Sequence, residues 1–282
     1  MERKILGSEY DLKIKNKSLK KIIKSILKKQ RPFTKEIRIG KVKKTFFIVN
    51  GKILKNQSSK LVGCLIVMTD VTRLKQLEAM RRVFVANVSH ELKTPITSIG
   101  GYIETAQGDI PLETKNEFLE KAIEQNFRLN SIIDDLLRLS RIEAMQDEET
   151  FALSNQAILP IIEGSIEDIR GTIKKYNAKV LCNCSEKINA DIDSQLLREA
   201  LINLLENAIK YGDNNPTVTL AVKEKSNYIL IDIENTGSII PEKERNKIFN
   251  RFYRIDKSRS KKTGGTGLGL AIVKHISIVH NG

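Results

Sequence analysis

Two long runs of apolar residues at helical spacing constrain the fold of this chain more than any other feature. The first begins at Arg73, and at about 100° per residue its apolar side chains lie within about 60° of Val85. They are Leu74, Val85, Val88, Leu92, Ile96, Ile99 and Ile103. A continuous stripe of this kind predicts one long amphipathic helix.

The second run extends from about Leu112 to Ile142 and is separated from the first by the turn sequence QGDIPLET. Its stripe repeats at steps of three and four residues. It comprises Phe118, Leu119, Ala122, Asn126, Leu129, Ile133, Leu136 and Leu139. A hairpin of two such helices buries only one side of each, so the pattern predicts a second copy that completes a dimeric four-helix bundle.

Shorter elements flank the hairpin on both sides. Before it, the sequence predicts a helix in SLKKIIKSILKK and three strands in 31–40, 44–54 and 60–72, a small α+β module. After the polar stretch 143–156, it predicts helices and strands that alternate irregularly. They are helices 158–177 and 193–212 and strands 179–184, 217–225 and 227–236. This order is typical of a mostly antiparallel sheet with helices on one face.

Charge and cysteine content indicate which partners and which compartment to expect, and a basic excess can mark either contact with acidic lipid headgroups or nucleic acid or a solvated surface. Residues 1–82 contain 23 Lys and Arg against 6 Asp and Glu, whereas residues 83–282 contain 25 against 28. We interpret the basic excess as a lysine-rich solvated surface, because stacking aromatic residues are few there, and we predict no direct nucleic-acid contact.

The three cysteines suit a reducing cytosol, and Cys182 and Cys184 are expected to be ordinary strand residues. No apolar run of membrane-spanning length occurs, and the N-terminus lacks a signal-peptide core.

A polar cluster on the first long helix contains a candidate nucleophile. His90 lies opposite the apolar stripe, with Asn87, Glu91 and Thr94 on the same side. A neutral imidazole is a competent nucleophile, and a neighbouring carboxylate can hold the proton of its other ring nitrogen. Pro95 cannot donate a hydrogen bond to the carbonyl of Glu91, so a bend is expected beside the cluster.

The C-terminal part has residues suited to a phosphate group. Asn203, Asn207 and Lys210 lie on one flank of a predicted helix, where an amide oxygen could ligate Mg²⁺ and an ammonium could meet a phosphate. The stretch TGGTGLGLAIVKHIS places four glycines before a helix N-terminus, which attracts anions. No GK[ST] follows the glycines, which argues against a P-loop. The basic stretch DKSRSKKTGG before them is predicted to be a mobile lid.

Taken together, these stretches resemble the motif set of bacterial sensor histidine kinases of two-component systems. VSHELKTP resembles the H-box, LINLLENAIKYG the N-box, IENTGSIIP the first glycine box, IFNRFYRID the F-box and GGTGLGLAIV the second glycine box. The motifs follow the family order and cover residues 74–282. The region around His90 is most similar to the phosphate-regulon sensor branch, and residues 1–72 resemble part of a PAS sensor domain.

The resemblance implies an α+β multidomain protein with four parts. They are a partial PAS-like domain (1–72), a dimerising and histidine-phosphotransfer hairpin (73–145), a linker (146–156) and a catalytic ATP-binding domain (157–282). The last would be an α/β sandwich of the histidine kinase, topoisomerase and chaperone type, without its closing strands. We therefore expect the cytoplasmic portion of a kinase whose full-length relatives are often anchored in the membrane.

The resemblance also implies residue roles. His90 would accept the γ-phosphoryl group of ATP, Glu91 would act as its base, and Thr94 would position water when a response regulator is dephosphorylated. Asn207 would ligate Mg²⁺, and the remaining nucleotide-binding residues would surround the phosphates and the base. These are Asn203, Lys210, Tyr211, Asn235, Gly237, Gly265, Gly267, Leu268 and Gly269. The expected partners are a second copy, bound through residues 73–145, and the receiver domain of a response regulator.

Two positions depart from the family pattern. Asn235 replaces the aspartate that accepts a hydrogen bond from the adenine amino group, and Ile239 replaces the second glycine of that box. An amide oxygen can accept the same bond without the charge. Besides an active autokinase, the sequence therefore leaves open a non-catalytic dimeric scaffold. An ATPase of the topoisomerase or chaperone type is a third possibility, but such proteins have no H-box helix.

Overall fold

The computed structural model describes residues 25, 31–40, 44–148, 153–237, 239–255 and 265–282. The predicted helix in SLKKIIKSILKK and most of the predicted lid lie outside the described residues. The chain forms two compact units, residues 1–86 and 87–282.

The first unit contains a three-stranded antiparallel sheet in the order β1-β2-β3. Its strands are β1 (Phe33–Ile39), β2 (Thr45–Lys55) and β3 (Leu61–Asp70). All three predicted strands are therefore confirmed. Alternate residues on one face form a small core around the fully buried Val49, as period-2 side-chain orientation requires.

Two long helices follow the sheet, as the apolar spacing predicts. They are α1 (Thr72–Gln107) and α2 (Leu112–Glu148). Helix α1 continues through Pro95, which is its one buried residue, so the proline does not end the helix. In the second unit the two helices contact each other through the rings of Tyr102 and Phe118, whose centroids lie 6.0 Å apart.

Much of the apolar stripe on the hairpin is uncovered in a single chain. Val85, Ile96 and Ile103 are 55%, 56% and 41% exposed, and the stripe residues Leu119 and Ile133 on α2 are 45% and 40% exposed. Apolar surface of this extent on long helices is typical of a face that another protein surface covers.

The rest of the second unit is an α/β layer. Its strands are β4 (Ser154–Ala157), β5 (Lys179–Asn183), β6 (Asn189–Ile192), β7 (Thr217–Glu224) and β8 (Ile229–Asn235). Its helices are α3 (Ile158–Asp168), α4 (Arg170–Tyr176), α5 (Ser194–Lys210), α6 (Glu242–Arg245) and α7 (Gly269–Val279). The sheet order is β5-β7-β8, in which β5 is parallel and β8 antiparallel to β7. The α+β class is confirmed.

Helix α5 is central to this layer. Its N-cap, Asp193, accepts hydrogen bonds from the backbone N–H groups of Gln195 (2.9 Å) and Leu196 (3.0 Å). Leu201, Leu205 and Ile209 on its inner side are at most 1% exposed and pack with Leu220 of β7. The opposite flank of α5 carries the predicted phosphate-binding residues and is left accessible.

Two local features of this layer differ from the sequence-based prediction. Ser154–Ala157, read as the end of a linker, is a strand that pairs antiparallel with Asn189–Ile192. The single helix predicted over 158–177 is two helices that meet at Ile169. Both β4 and β6 are only four residues long, which is too short for a periodicity signal. None of the described helices is long and apolar enough to cross a bilayer.

Candidate active site

The predicted phosphoacceptor is accessible. His90 lies within α1, and its side chain is exposed, as is that of Thr94 one turn later. The Thr94 hydroxyl donates a hydrogen bond to the backbone carbonyl of His90 at 3.0 Å, which ties it to the same turn. The structure therefore brings His90 and Thr94 together on an outward face, where a second macromolecule or a nucleotide could approach the imidazole.

Glu91 differs from its sequence-based description as part of an exposed cluster. Its side chain is only 25% exposed, and its Oε2 pairs with two guanidinium groups. Arg128 of α2 lies 3.8 Å away, and Arg254, which follows α6, lies 3.5 Å away. Arg254 also donates a hydrogen bond to the backbone carbonyl of Gly265. One arginine thus links the residue next to His90 to the second glycine box.

The second glycine box lies against Asn203 and Tyr211, which are at the two ends of the polar flank of α5. At Gly269, an added Cβ would lie 2.5 Å from Oδ1 of Asn203, and at Gly265 it would lie 3.3 Å from the hydroxyl of Tyr211. Gly267 has φ +76°, and its missing Cβ would meet the backbone of Phe252 at 3.0 Å. A side chain at Gly267 is therefore excluded by both conformation and space.

The first glycine box lies beside the C-terminal end of α5. Gly237 has φ +148° and forms an isolated antiparallel bridge with Gly212, directly after Tyr211. Asn235 ends β8 and is exposed, and its Nδ2 donates to the carbonyl of Thr236 at 3.2 Å. With the amide nitrogen used in this way, Oδ1 is the atom that Asn235 offers as an acceptor.

Asn207 and Lys210 lie on α5 between Asn203, which is beside Gly269, and Tyr211, which is beside Gly265 and Gly237. Asn207 is half-buried on α5, and Lys210 forms an ion pair with Glu206 at 2.6 Å, one turn back on the same helix. The two glycine boxes and the polar flank of α5 therefore form one region. At Gly237 and Gly267 the positive φ and the neighbouring backbone exclude a Cβ, and α5 contributes amide side chains and an ammonium group. Amide oxygens and an ammonium group suit a phosphate–cation group.

The α/β layer is docked on the second half of the hairpin. Leu139 and Ile142 of α2 are at most 2% exposed and share a core with Leu268, Ile272 and Ile276 of the second glycine box and α7. This corrects one prediction, because the sequence places Leu136 and Leu139 in the bundle stripe, whereas the structure packs them against the α/β layer.

Polar contacts surround this docking core. The hydroxyl of Thr266, in the second glycine box, donates to Asp135 Oδ2 at 2.6 Å. Glu143 pairs with Arg251 and lies 3.1 Å from Nε2 of His275, while Arg138 lies 3.8 Å from Glu199. Burial raises the pKa of the Asp135 carboxyl, although the Thr266 hydrogen bond opposes this. Burial also raises the pKa of Glu199, against the nearby charge of Arg138, and lowers the pKa of His275.

The docking of the α/β layer on α2 should therefore depend on pH. A raised carboxyl pKa means that the docked form binds the proton more tightly, so Asp135 and Glu199 should strengthen docking as pH falls through their raised pKa values towards about 4. His275 has the opposite sign, because its lowered pKa weakens docking as pH falls below about 6.5. In a His275→Gln chain, small-angle scattering between pH 7.5 and 4.5 should show the compact form gaining population on acidification.

The matched control is the same chain with Asp135→Asn and Glu199→Gln, in which the response should be flat. An equal acid response with and without these two substitutions would contradict the assignment.

Family models match both parts of the second unit. The model described as the His Kinase A (phospho-acceptor) domain matches residues 80–144. The model described as the histidine kinase-, DNA gyrase B- and HSP90-like ATPase matches residues 192–282. The two models lie in the order that the motifs predict, on the helices and glycine boxes described above. The chain belongs to the bacterial sensor histidine kinases of two-component systems.

Curated relatives agree with this family. The sensor protein kinase WalK of Staphylococcus saprophyticus is 35% identical over 240 residues, which are 83% of this chain and 38% of that protein. The sensor histidine kinase WalK of Bacillus subtilis is 33% identical over 246 residues, which are 84% of this chain and 39% of that protein. The chain thus spans less than half the length of these relatives. The finer resemblance to the phosphate-regulon branch stays a prediction.

Solved structures show the same fold. Histidine kinase ThkA, solved in complex with response regulator protein TrrA, aligns with a TM-score of 0.52 at 22% identity, over 84% of this chain and 72% of that chain. Histidine kinase AdeS of Acinetobacter baumannii aligns with a TM-score of 0.50 at 23% identity, over 67% of this chain and 86% of that chain.

Several residues of the site were not singled out from the sequence. Arg254 lies within the F-box stretch IFNRFYRID, where its charge among aromatic residues was the available signal. Arg128 and Asp135 look like ordinary polar positions of an amphipathic helix, and their contacts exist only because of how the hairpin and the layer meet. Neither periodicity nor composition could have identified them.

Proposed function

We propose that this chain is an ATP-dependent protein-histidine kinase that phosphorylates itself on His90 and then passes the phosphoryl group to an aspartate of a response regulator. The contact from Glu91 through Arg254 to Gly265 carries the proposal, because it joins the phosphoacceptor helix to the glycine box of an ATPase domain. Neither an isolated helical hairpin nor an isolated nucleotide site would need that connection.

The residues present fit ATP and Mg²⁺. Asn207 would supply a neutral oxygen ligand to the metal, while Asn203 and Lys210 would lie near the phosphates. Tyr211 would lie beside the base, and Oδ1 of Asn235 would accept a hydrogen bond from the adenine amino group. Gly237, Gly265, Gly267, Leu268 and Gly269 would shape the pocket and its lid. Bound Mg²⁺–ATP would supply the phosphoryl group and neutralise its charge during transfer.

The chemistry at His90 is nucleophilic substitution at phosphorus. The unprotonated ring nitrogen forms a bond to the γ-phosphorus, and the bond from that phosphorus to the bridging oxygen breaks with its electrons leaving on ADP. Glu91 would act as the base that accepts the proton from the other ring nitrogen, which leaves a neutral phosphorylated ring. Transfer to a receiver aspartate then restores His90. When the same protein dephosphorylates the response regulator, Thr94 would position the water that hydrolyses the regulator's acyl phosphate.

The uncovered stripe on α1 and α2 supports a homodimer through residues 73–145. A second copy would cover Val85, Ile96, Ile103 and Ile133, which a single chain leaves exposed. Response-regulator docking would then occur beside His90, on the outward face of the hairpin.

Labelling with γ-³²P-ATP and Mg²⁺ tests the proposed function. The full chain should incorporate label that is lost in acid and retained in base, which is the behaviour of a phosphoramidate and not of a serine or threonine ester. A purified receiver domain added afterwards should remove the label from the kinase. If the chain binds no nucleotide in a calorimetric titration, or the label is acid-stable, the scaffold alternative replaces this proposal.

A further inference from the structure

Arg128 reaches from α2 across the hairpin to the residue that follows the phosphoacceptor. Its Nη2 lies 3.8 Å from Oε2 of Glu91, a charge contact rather than a direct hydrogen bond. Both side chains are mostly buried, at 17% and 25% exposure. Because α1 and α2 are joined by a short turn, this pairing belongs to the hairpin itself.

Stability alone is a poor explanation for this arrangement. The Nε of Arg128 is buried and has no hydrogen-bond acceptor among the described residues. An unsatisfied buried donor is destabilising, and a partly buried ion pair contributes little net stability compared with an apolar side chain of similar size. The clearer consequence of Arg128 is therefore its effect on Glu91, whose carboxylate it confines to one side of α1.

Arg254 is the second cation on the same oxygen, but it has a different origin. It comes from the catalytic layer, its side chain is 10% exposed, and it also donates to Gly265. When the layer moves relative to the hairpin, Arg254 moves with it. Arg128 stays with Glu91 because both lie on the hairpin.

We propose that Arg128 is a positioning residue for autophosphorylation: it holds the Glu91 carboxylate in one orientation beside His90, whether or not the catalytic layer is docked. The inference rests on the proposed function, since Glu91 matters in this way only if His90 is phosphorylated. It assigns Arg128 no contact with nucleotide, so ATP binding should not depend on it.

Single-turnover autophosphorylation of the full chain tests this role. Arg128→Met removes the charge and keeps an unbranched side chain, and it should lower the rate at saturating ATP roughly tenfold or more, because a general base contributes about 10²–10⁴-fold. The KM for ATP should change by less than about twofold, since no ATP-binding contact is lost. Arg128→Lys should recover part of the rate. Arg141→Met, the same change at an exposed position of α2, should match wild type.

A double-mutant cycle separates positioning from simple loss of structure. Glu91→Gln combined with Arg128→Met should be no slower than Glu91→Gln alone, because both changes remove the same oriented carboxylate. Light scattering and circular dichroism establish that each variant is a folded dimer, and Arg128→Gln replaces Arg128→Met if the latter does not fold. Wild-type rates in the folded Arg128 variants, or multiplicative losses in the double variant, would overturn this inference and leave the kinase proposal intact. An unlabelled wild-type chain would overturn both.

Discussion

Replacing His90 by glutamine should reduce autophosphorylation to background. The amide of glutamine is similar in size to the imidazole but has no nucleophilic nitrogen, so the γ-phosphoryl group has no acceptor. His90 is an exposed histidine, whereas both other histidines of the chain are engaged. In His280, Nδ1 lies 2.8 Å from the Ile276 carbonyl and Nε2 accepts from the Asp193 N–H at 3.1 Å. The measurement is acid-labile label after incubation with γ-³²P-ATP.

His275→Gln is the matched control for this result. His275 is half-buried and lies against Glu143, and glutamine can still donate a hydrogen bond there. Its label should therefore remain close to that of wild type under the same conditions. Substantial label in the His90→Gln chain, or loss of label in the His275→Gln chain alone, would show that the acceptor has been wrongly assigned.

Asn207→Ala should have the next largest effect, on nucleotide binding. The change removes the amide oxygen proposed to ligate Mg²⁺ from the middle of the polar flank of α5. Mutating a residue that only hydrogen-bonds to a metal ligand lowers metal affinity about 10–100-fold, so removing a direct ligand should weaken Mg²⁺-dependent binding at least that much. Calorimetric titration with ADP should show this loss in the presence of Mg²⁺ and little difference in its absence. Autophosphorylation should fall in parallel.

The control for Asn207 lies on the same helix. Gln195→Ala changes an exposed amide in the first turn of α5 and leaves the backbone N–H that Asp193 caps. Its nucleotide affinity should equal that of wild type. Equal Mg²⁺-dependent affinity in the Asn207→Ala chain would exclude Asn207 as the metal ligand and would move the search to other oxygens of the same flank.

Long elements were predictable because periodicity reports on them directly. The spacing of Leu74, Val85 and Ile96 was sufficient to place α1, and alternation was sufficient for β1–β3 and β7. The same signal fails for β4 and β6, where four residues contain too few repeats. Periodicity also cannot say which surface covers an apolar stripe, so Leu139 was assigned to the dimer and is buried instead against α7.

The candidate site likewise combines residues that the sequence identifies with contacts that only the structure shows. Asn203, Asn207 and the glycines are recognisable because residue type and local spacing determine their chemistry, and the second glycine box does lie against α5. The sequence predicts that Glu91 is an exposed neighbour of His90, yet two arginines 37 and 163 positions further along the chain contact it. Pairings over such separations depend on packing, which local sequence does not encode.

The sequence by itself determined the elements, the motif order, the family and the exposed position of His90, because each follows from contacts within a few residues or from residue type. Only the tertiary structure decided that the α/β layer docks on the second half of the hairpin, that Arg254 joins Glu91 to Gly265, and that Arg128 lies beside the same carboxylate. Those contacts arise where separate elements meet. Their geometry depends on how whole faces pack together and not on any one segment.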